Sequence, residues 1–377
     1  MVGKGGHVRT ASRGVLRFVR PVIASSAMGS RNSSLRPSRR EILQGIAVLG
    51  AGTLLPAQGN GAGRIDVHQH YVSPDYYALL TRKNAGSPVA GFAIWKDYSP
   101  AKNLDAMDKA GIATAMLSPT APGVYFGDVQ EARRVAREMN EYAAAKMVGA
   151  YKGRFGLFAV LPIPDVEGSL REIEYAFDTL KADGVAFLTS YGNKYLGDPA
   201  FAPIFEELNR RKAVVYTHPI EPGCCANPVS GVTPQTLEYP TDTTRTLMSL
   251  IVSNTATRCP DVKFIFSHAG GTLVSIAARF LSTAVSPENL GKPAELNSRM
   301  YHVRRFYYDT AGSANPVQLQ PLKMLVGASQ IVYGTDFPFV NAPATTSGVQ
   351  ASGFSAEELR GINRENALKF LPRLGTA

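Results

Sequence analysis

The sequence predicts an α/β fold, a closed (β/α)8 TIM barrel, on three observations. Eight short β-branched runs alternate with longer segments of helical spacing, several runs are apolar on both faces, and chemically active side chains stand at their C-terminal ends. In a barrel those ends converge on one rim, where active sites are built. An open doubly wound sheet would share the segments but would not gather the polar ends in this way.

The runs cover residues 64–68, 112–117, 155–161, 184–189, 213–218, 262–268, 306–310 and 330–335. Helical spacing follows at 128–147, 170–181, 202–211, 243–258, 273–281 and 356–370, and insertions are expected at 71–102 and 219–240. No internal repeat or linker divides this body, which is read as one barrel over residues 63–377.

The net charge of +10 invites a nucleic-acid reading, but the charge is not in the body. Nine basic residues precede Arg64 against Glu41 alone, so about two units remain for the rest of the chain. A near-neutral body offers no basic field for phosphate backbones, and no nucleic-acid partner is expected.

The basic leader, residues 1–62, runs through Ser38-Arg39-Arg40-Glu41-Ile42-Leu43 into the apolar stretch from Ile46 to Leu55 and then small residues up to Ala62. This layout resembles a twin-arginine export signal, removed near Ala57 to Ala62, which would place the mature protein in the periplasm or outside the cell. Met28 would begin a leader of more ordinary length. A basic tail on a cytoplasmic protein is the alternative, and the apolar stretch is too short for a stable membrane span. The three cysteines, Cys224, Cys225 and Cys259, form no CxxC pair, so neither a disulfide framework nor a zinc ribbon is expected.

Of six histidines, four end or follow strands: His68 and His70 in the first, His218 in the fifth and His268 in the sixth. Alternate residues of extended backbone share a side, so His68 and His70 can face one point. Asp336 ends the eighth run. Imidazoles and a carboxylate gathered on a partly buried rim would cost several kcal/mol to desolvate, and a divalent cation offsets that cost. Nitrogen-rich ligation with one carboxylate suits Zn²⁺ first, with Mn²⁺, Fe²⁺ or Co²⁺ as alternatives, and argues against Ca²⁺ and Mg²⁺. Tyr191, on the loop after the fourth run, is a candidate to pack an aromatic ring.

The segments Asp66-Val67-His68-Gln69-His70, Leu196-Gly197-Asp198-Pro199-Ala200-Phe201, Asp242-Thr243-Thr244-Arg245, Ser267-His268-Ala269-Gly270-Gly271 and Tyr308-Asp309-Thr310-Ala311 resemble the amidohydrolase-2 branch of the amidohydrolase superfamily. That branch includes metal-dependent decarboxylases of 6-methylsalicylate and of aminocarboxymuconate semialdehyde, and the likeness spans residues 64–371. It implies that His68, His70, His218 and Asp336 hold the metal, with His268 and Asp336 as acid/base groups. Two-metal relatives carry a bridging lysine at the end of the fourth strand. None stands in 184–189, so one ion is expected. The resemblance also implies that Arg279 reaches the substrate carboxylate across a homodimer, and Arg245 is placed among the substrate-binding residues. Residues 102–108 contain no arginine, which favours a substrate with a single carboxylate, and Phe337 stands where many members have Trp.

The implied function is non-oxidative decarboxylation of a small aromatic or enol carboxylic acid such as a 2-hydroxybenzoate. Hydrolysis of a lactone or amide by a metal-activated water is the first alternative. A non-catalytic exported protein stabilised by its metal is the second.

Overall fold

The computed structural model describes residues 63–83, 91–225 and 229–375. The leader, and with it the expected export signal, lies outside the described residues. Eight strands, β1 (Arg64–His70), β2 (Ile112–Ser118), β3 (Phe155–Val160), β4 (Gly184–Leu188), β5 (Val214–His218), β6 (Lys263–Phe266), β7 (Tyr307–Asp309) and β8 (Ile331–Val332), pair in chain order in one parallel sheet. The sheet closes on itself: Val67 N donates to the Tyr333 carbonyl at 3.0 Å, Asp336 N to that of His68 at 2.8 Å and His70 N to that of Phe337 at 2.8 Å. Eight parallel strands closed this way form a TIM barrel.

Alternation along the strands builds two cores. Ile65, Val67, Met116, Phe158, Ala186, Val214, Tyr216, Ile265 and Val332 fill the inside, where Phe158 and Tyr216 stack at 5.6 Å. Ala367, Phe370, Leu371 and Leu374 join this cluster, and Phe370 packs 4.4 Å from Tyr307, the first residue of β7. The C-terminal segment therefore plugs the end of the barrel opposite the strand C-termini. Residues of the other parity, including Leu157, Phe187, Val215, Phe264 and Phe266, pack outward against helical residues such as Phe205, Leu208 and Leu247.

Three elements differ from the sequence expectation. The eighth strand is shorter than 330–335, because beyond Val332 the backbone pairs across the closure rather than with β7. The helix expected at 243–258 begins at Pro234 and runs through Pro240 to Val252. Around that proline, the hydroxyls of Thr241 and Thr244 lie in hydrogen-bond reach of the carbonyls of Leu237 and Pro240. The terminal helix expected at 356–370 is broken into Ala356–Arg360, a wide turn at Gly361–Glu365 and Asn366–Leu368. The insertion expected at 71–102 carries the helices Pro74–Lys83 and Gly91–Lys96 and the start of Pro100–Ala110. No helix among the described residues is long and apolar enough to cross a membrane.

Candidate metal centre

Strand β1 does not alternate strictly. Its pairing with β2 shifts register between Asp66 and Gln69, so Val67 joins the inner core while His68 and His70 still converge above it. Asp66, two residues before His68, is turned away. Its carboxylate accepts from the Thr335 amide and hydroxyl, the His68 amide and the Gln69 side chain, which ties β1 to the segment after β8.

At the C-terminal rim, one nitrogen each from His68, His70 and His218 and an oxygen of Asp336 lie within 4.8 Å of one another. The three imidazoles are buried to within 3%. Each ring meets an oxygen acceptor at Nδ1: Asp309 Oδ2 at 2.8 Å for His68, the Ser118 carbonyl at 3.3 Å for His70 and the Pro219 carbonyl at 2.9 Å for His218. With the proton held at Nδ1, every Nε2 presents a lone pair to the centre of the cluster. Three inward lone pairs and a carboxylate form a donor set for one divalent ion of the zinc, manganese, iron or cobalt type.

The electrostatics point the same way. Burial, with help from the neighbouring imidazoles, holds His218 well below its ordinary pKa, and burial also lowers His70. Burial works against charge at His68, yet Asp309 and Asp336 outweigh it and push its pKa up to about 10. Burial likewise opposes charge at Asp336, but the cationic form of His68 and the close ring nitrogens of His268, His68 and His70 hold its carboxyl well below the usual range. The carboxylates thus demand positive charge among the imidazoles, which a divalent cation meets without protonating a ligand.

His268 does not end β6 as expected; it opens a short turn, His268–Gly270, beyond it. His268, Ala269, Gly270 and Gly271 all have positive φ, a run that for non-glycine residues is held only by its surroundings. The turn brings His268 Nε2 to 3.4 Å from Asp336 Oδ2 and leaves the side chain 14% exposed. Asp336 itself has φ 68°. Gly334 lets β1, β7 and β8 meet, since a Cβ there would sit 2.9 Å from the Cβ atoms of both His68 and Asp309.

The expected substrate residues stand outside the four-residue cluster and make contacts of their own. Tyr191 accepts from the Leu188 amide at 2.9 Å and packs its ring against Phe201, which is a local loop arrangement. Arg245 lies beside Asp242, Glu238 and Cys225, at 3.8 Å and 4.0 Å from the two carboxylates. Arg279 is exposed on the helix Leu273–Leu281 and pairs with no described residue. The cysteines are free.

Further residues reach the rim. Asp309, which enters the sequence reading only as part of a motif, holds His68; its position at the end of a strand was the available signal. Phe339 packs 5.7 Å from His70 and 5.3 Å from Trp95, and Tyr239 packs 6.3 Å from His218. These aromatic rings flank the cluster, and all three come from irregular or inserted segments without strand periodicity.

Comparison with known proteins agrees with this geometry. Residues 65–373 match the family model described as Amidohydrolase. The chain is 38% identical to decarboxylase yanB of Aspergillus niger over 82% of this chain and 88% of that one. It is 37% identical to the 6-methylsalicylic acid decarboxylase of Penicillium expansum, over 82% of this chain and 97% of that one. Among solved structures, a dihydroxybenzoic acid decarboxylase from Polaromonas sp. JS666, crystallised with manganese and the inhibitor 2-nitroresorcinol, shares the fold with a TM-score of 0.71 at 23% identity, covering 84% of this chain and 98% of that one.

Proposed function

The chain belongs to the amidohydrolase family, and on that premise we propose that it catalyses the metal-dependent, non-oxidative decarboxylation of a small aromatic or enol carboxylic acid of the 2-hydroxybenzoate kind. The observation that carries this reading is the likeness to decarboxylases along nearly their whole length in a chain that keeps a complete donor set. A closed structural zinc site would not leave an imidazole such as His268 beside the cluster, in contact with Asp336 and partly open to solvent.

His68, His70, His218 and Asp336 would hold the ion. When bound, it supplies Lewis acidity that stabilises negative charge on substrate oxygens as CO₂ departs. His268, with Nε2 against Asp336 and Nδ1 without a partner among the described residues, can hold a proton and deliver it to the carbon that loses the carboxylate. Asp336 accepts from that imidazole and orients it. Phe339 and Tyr239, on the His70 and His218 sides, offer flat apolar surface to a planar substrate. The burial of the three ligand imidazoles keeps bulk water from the ring nitrogens that face the ion.

Zinc is the first candidate by donor type, and the manganese of the Polaromonas relative makes Mn²⁺ the second. Arg279, charged, exposed and unpaired among the described residues, suits a substrate contact across a homodimer. The Ser38-Arg39-Arg40 leader supports export through a twin-arginine route.

Metal analysis of the purified chain, followed by a CO₂-release screen over ortho-hydroxybenzoates and muconate semialdehydes, tests the reading. One equivalent of a transition metal and chelator-sensitive CO₂ release are expected. Full metal loading with no CO₂ from any of these acids would exclude it.

A further inference from the structure

Asp309 is fully buried at the end of β7, and each of its oxygens accepts two hydrogen bonds. Oδ2 takes His68 Nδ1 at 2.8 Å and the Tyr216 hydroxyl at 3.2 Å. Oδ1 takes the His268 amide at 2.9 Å and the Ala311 amide at 3.0 Å. One carboxylate thus joins β1, β5 and the turns after β6 and β7, and it touches both a metal-ligand candidate and the candidate acid.

The two oxygens do different work. At Oδ2 the carboxylate can only accept, so His68 must carry a proton on Nδ1, which leaves Nε2 as the nitrogen it can offer to an ion. At Oδ1 it ties down the amide of His268, a residue at φ 55° in the left-handed region that a non-glycine residue keeps only when its surroundings hold it there. Releasing that amide lets the turn relax and carries the imidazole away from Asp336. We propose that Asp309 is a positioning residue that sets two properties at once, the metal affinity of the cluster through the His68 tautomer and the placement of His268 through its backbone. This inference rests on the reading of the cluster as a metal site.

The substitutions D309N and D309A separate the two halves. In D309N the amide oxygen can keep the backbone donors of His268 and Ala311, while the amide NH₂ faces His68 and Tyr216. His68 Nδ1 must then accept, its proton moves to Nε2, and that ligand atom is blocked. D309A loses both anchors.

The experiment uses the metal-free full chain with Zn²⁺ and Co²⁺ as probes. Affinity is measured by chelator competition, ligand geometry by the visible spectrum of the Co²⁺ form, folding by circular dichroism and turnover at saturating metal. D309N is expected to fold, to bind Zn²⁺ about 10- to 100-fold more weakly and to show an altered Co²⁺ spectrum. Excess metal should restore part of its turnover but little of that of D309A. If both variants fail to fold, D309E, which keeps the acceptor but displaces it, should show an intermediate loss of affinity. Wild-type affinity and spectrum in D309N, or in D309E where only that variant folds, would overturn the positioning role while leaving the metal site intact. A wild-type chain that binds neither probe would overturn the metal reading and this inference together.

Discussion

The Nε2 atoms of His68 and His70 lie 3.0 Å apart on rings whose Nδ1 atoms each face an oxygen. With both protons on Nδ1 the two lone pairs would repel at that separation, and Asp336 Oδ1 stands 3.2 Å and 3.1 Å from the same two nitrogens. A positive charge among these atoms turns a costly arrangement into a stable one.

Metal removal should therefore lower stability. An ion present at 100 times its Kd adds about 2.7 kcal/mol to folding, enough to move Tm by several degrees in a domain of this size. Thermal scans with and without chelator should show that difference. In H218A, which keeps only two of the imidazoles, it should nearly vanish.

The variant H268N should keep its metal and lose turnover by about 10²- to 10⁴-fold, the usual worth of a positioned proton donor. Metal content and kcat measured on the same preparation check this. Parallel loss of metal would instead make His268 a ligand.

At Gly334 an added methyl has nowhere to go, because its neighbours at 2.9 Å are the Cβ atoms of His68 and Asp309. G334A is expected to cost about 1–3 kcal/mol in urea unfolding and to weaken metal binding in the same protein. Unchanged affinity would show that the rim has more slack than this packing implies.

His302, far along the chain from the rim histidines, gives a pH signature. It accepts from Arg305 Nε at 3.2 Å and donates to Thr257 at 3.0 Å, and burial, aided by the Arg305 charge, pushes its pKa down to about 4. The unfolded chain binds the proton near pH 6.5 and the folded one only near 4, so stability should fall as pH drops through that window, by on the order of 2 kcal/mol. Urea titrations of H302Q between pH 7 and pH 4 should lack that share of the slope.

Mixing two inactive variants tests the role of Arg279. If it reaches a substrate in the partner subunit, R279A and H268N should partly restore one another when co-refolded, since one site of the mixed dimer has both side chains. Activity no greater than the sum of the separate variants would confine Arg279 to its own subunit or remove it from the reaction.

Much of the barrel was legible in the sequence because parallel strands announce themselves as apolar runs, and their ends fix where a rim can form. His68, His70, His218 and Asp336 could be singled out for that reason: a two-residue period and a strand terminus determine where a side chain points. The remainder depends on contacts that no local pattern records. The register shift that excludes Asp66 from the cluster arises from pairing with β2. The left-handed turn at His268 is held by Asp309, 41 residues away. Phe339, Trp95 and Tyr239 reach the site from segments whose paths are set by tertiary packing.

Turnover of the metal-loaded chain in ¹⁸O-enriched water separates decarboxylation from hydrolysis most directly. Incubated with a 2-hydroxybenzoate substrate, it should release CO₂ and leave a phenolic product free of ¹⁸O, and chelation should stop both. An ¹⁸O-labelled product from a lactone or amide, with no CO₂ from any hydroxybenzoate, would make the protein a hydrolase.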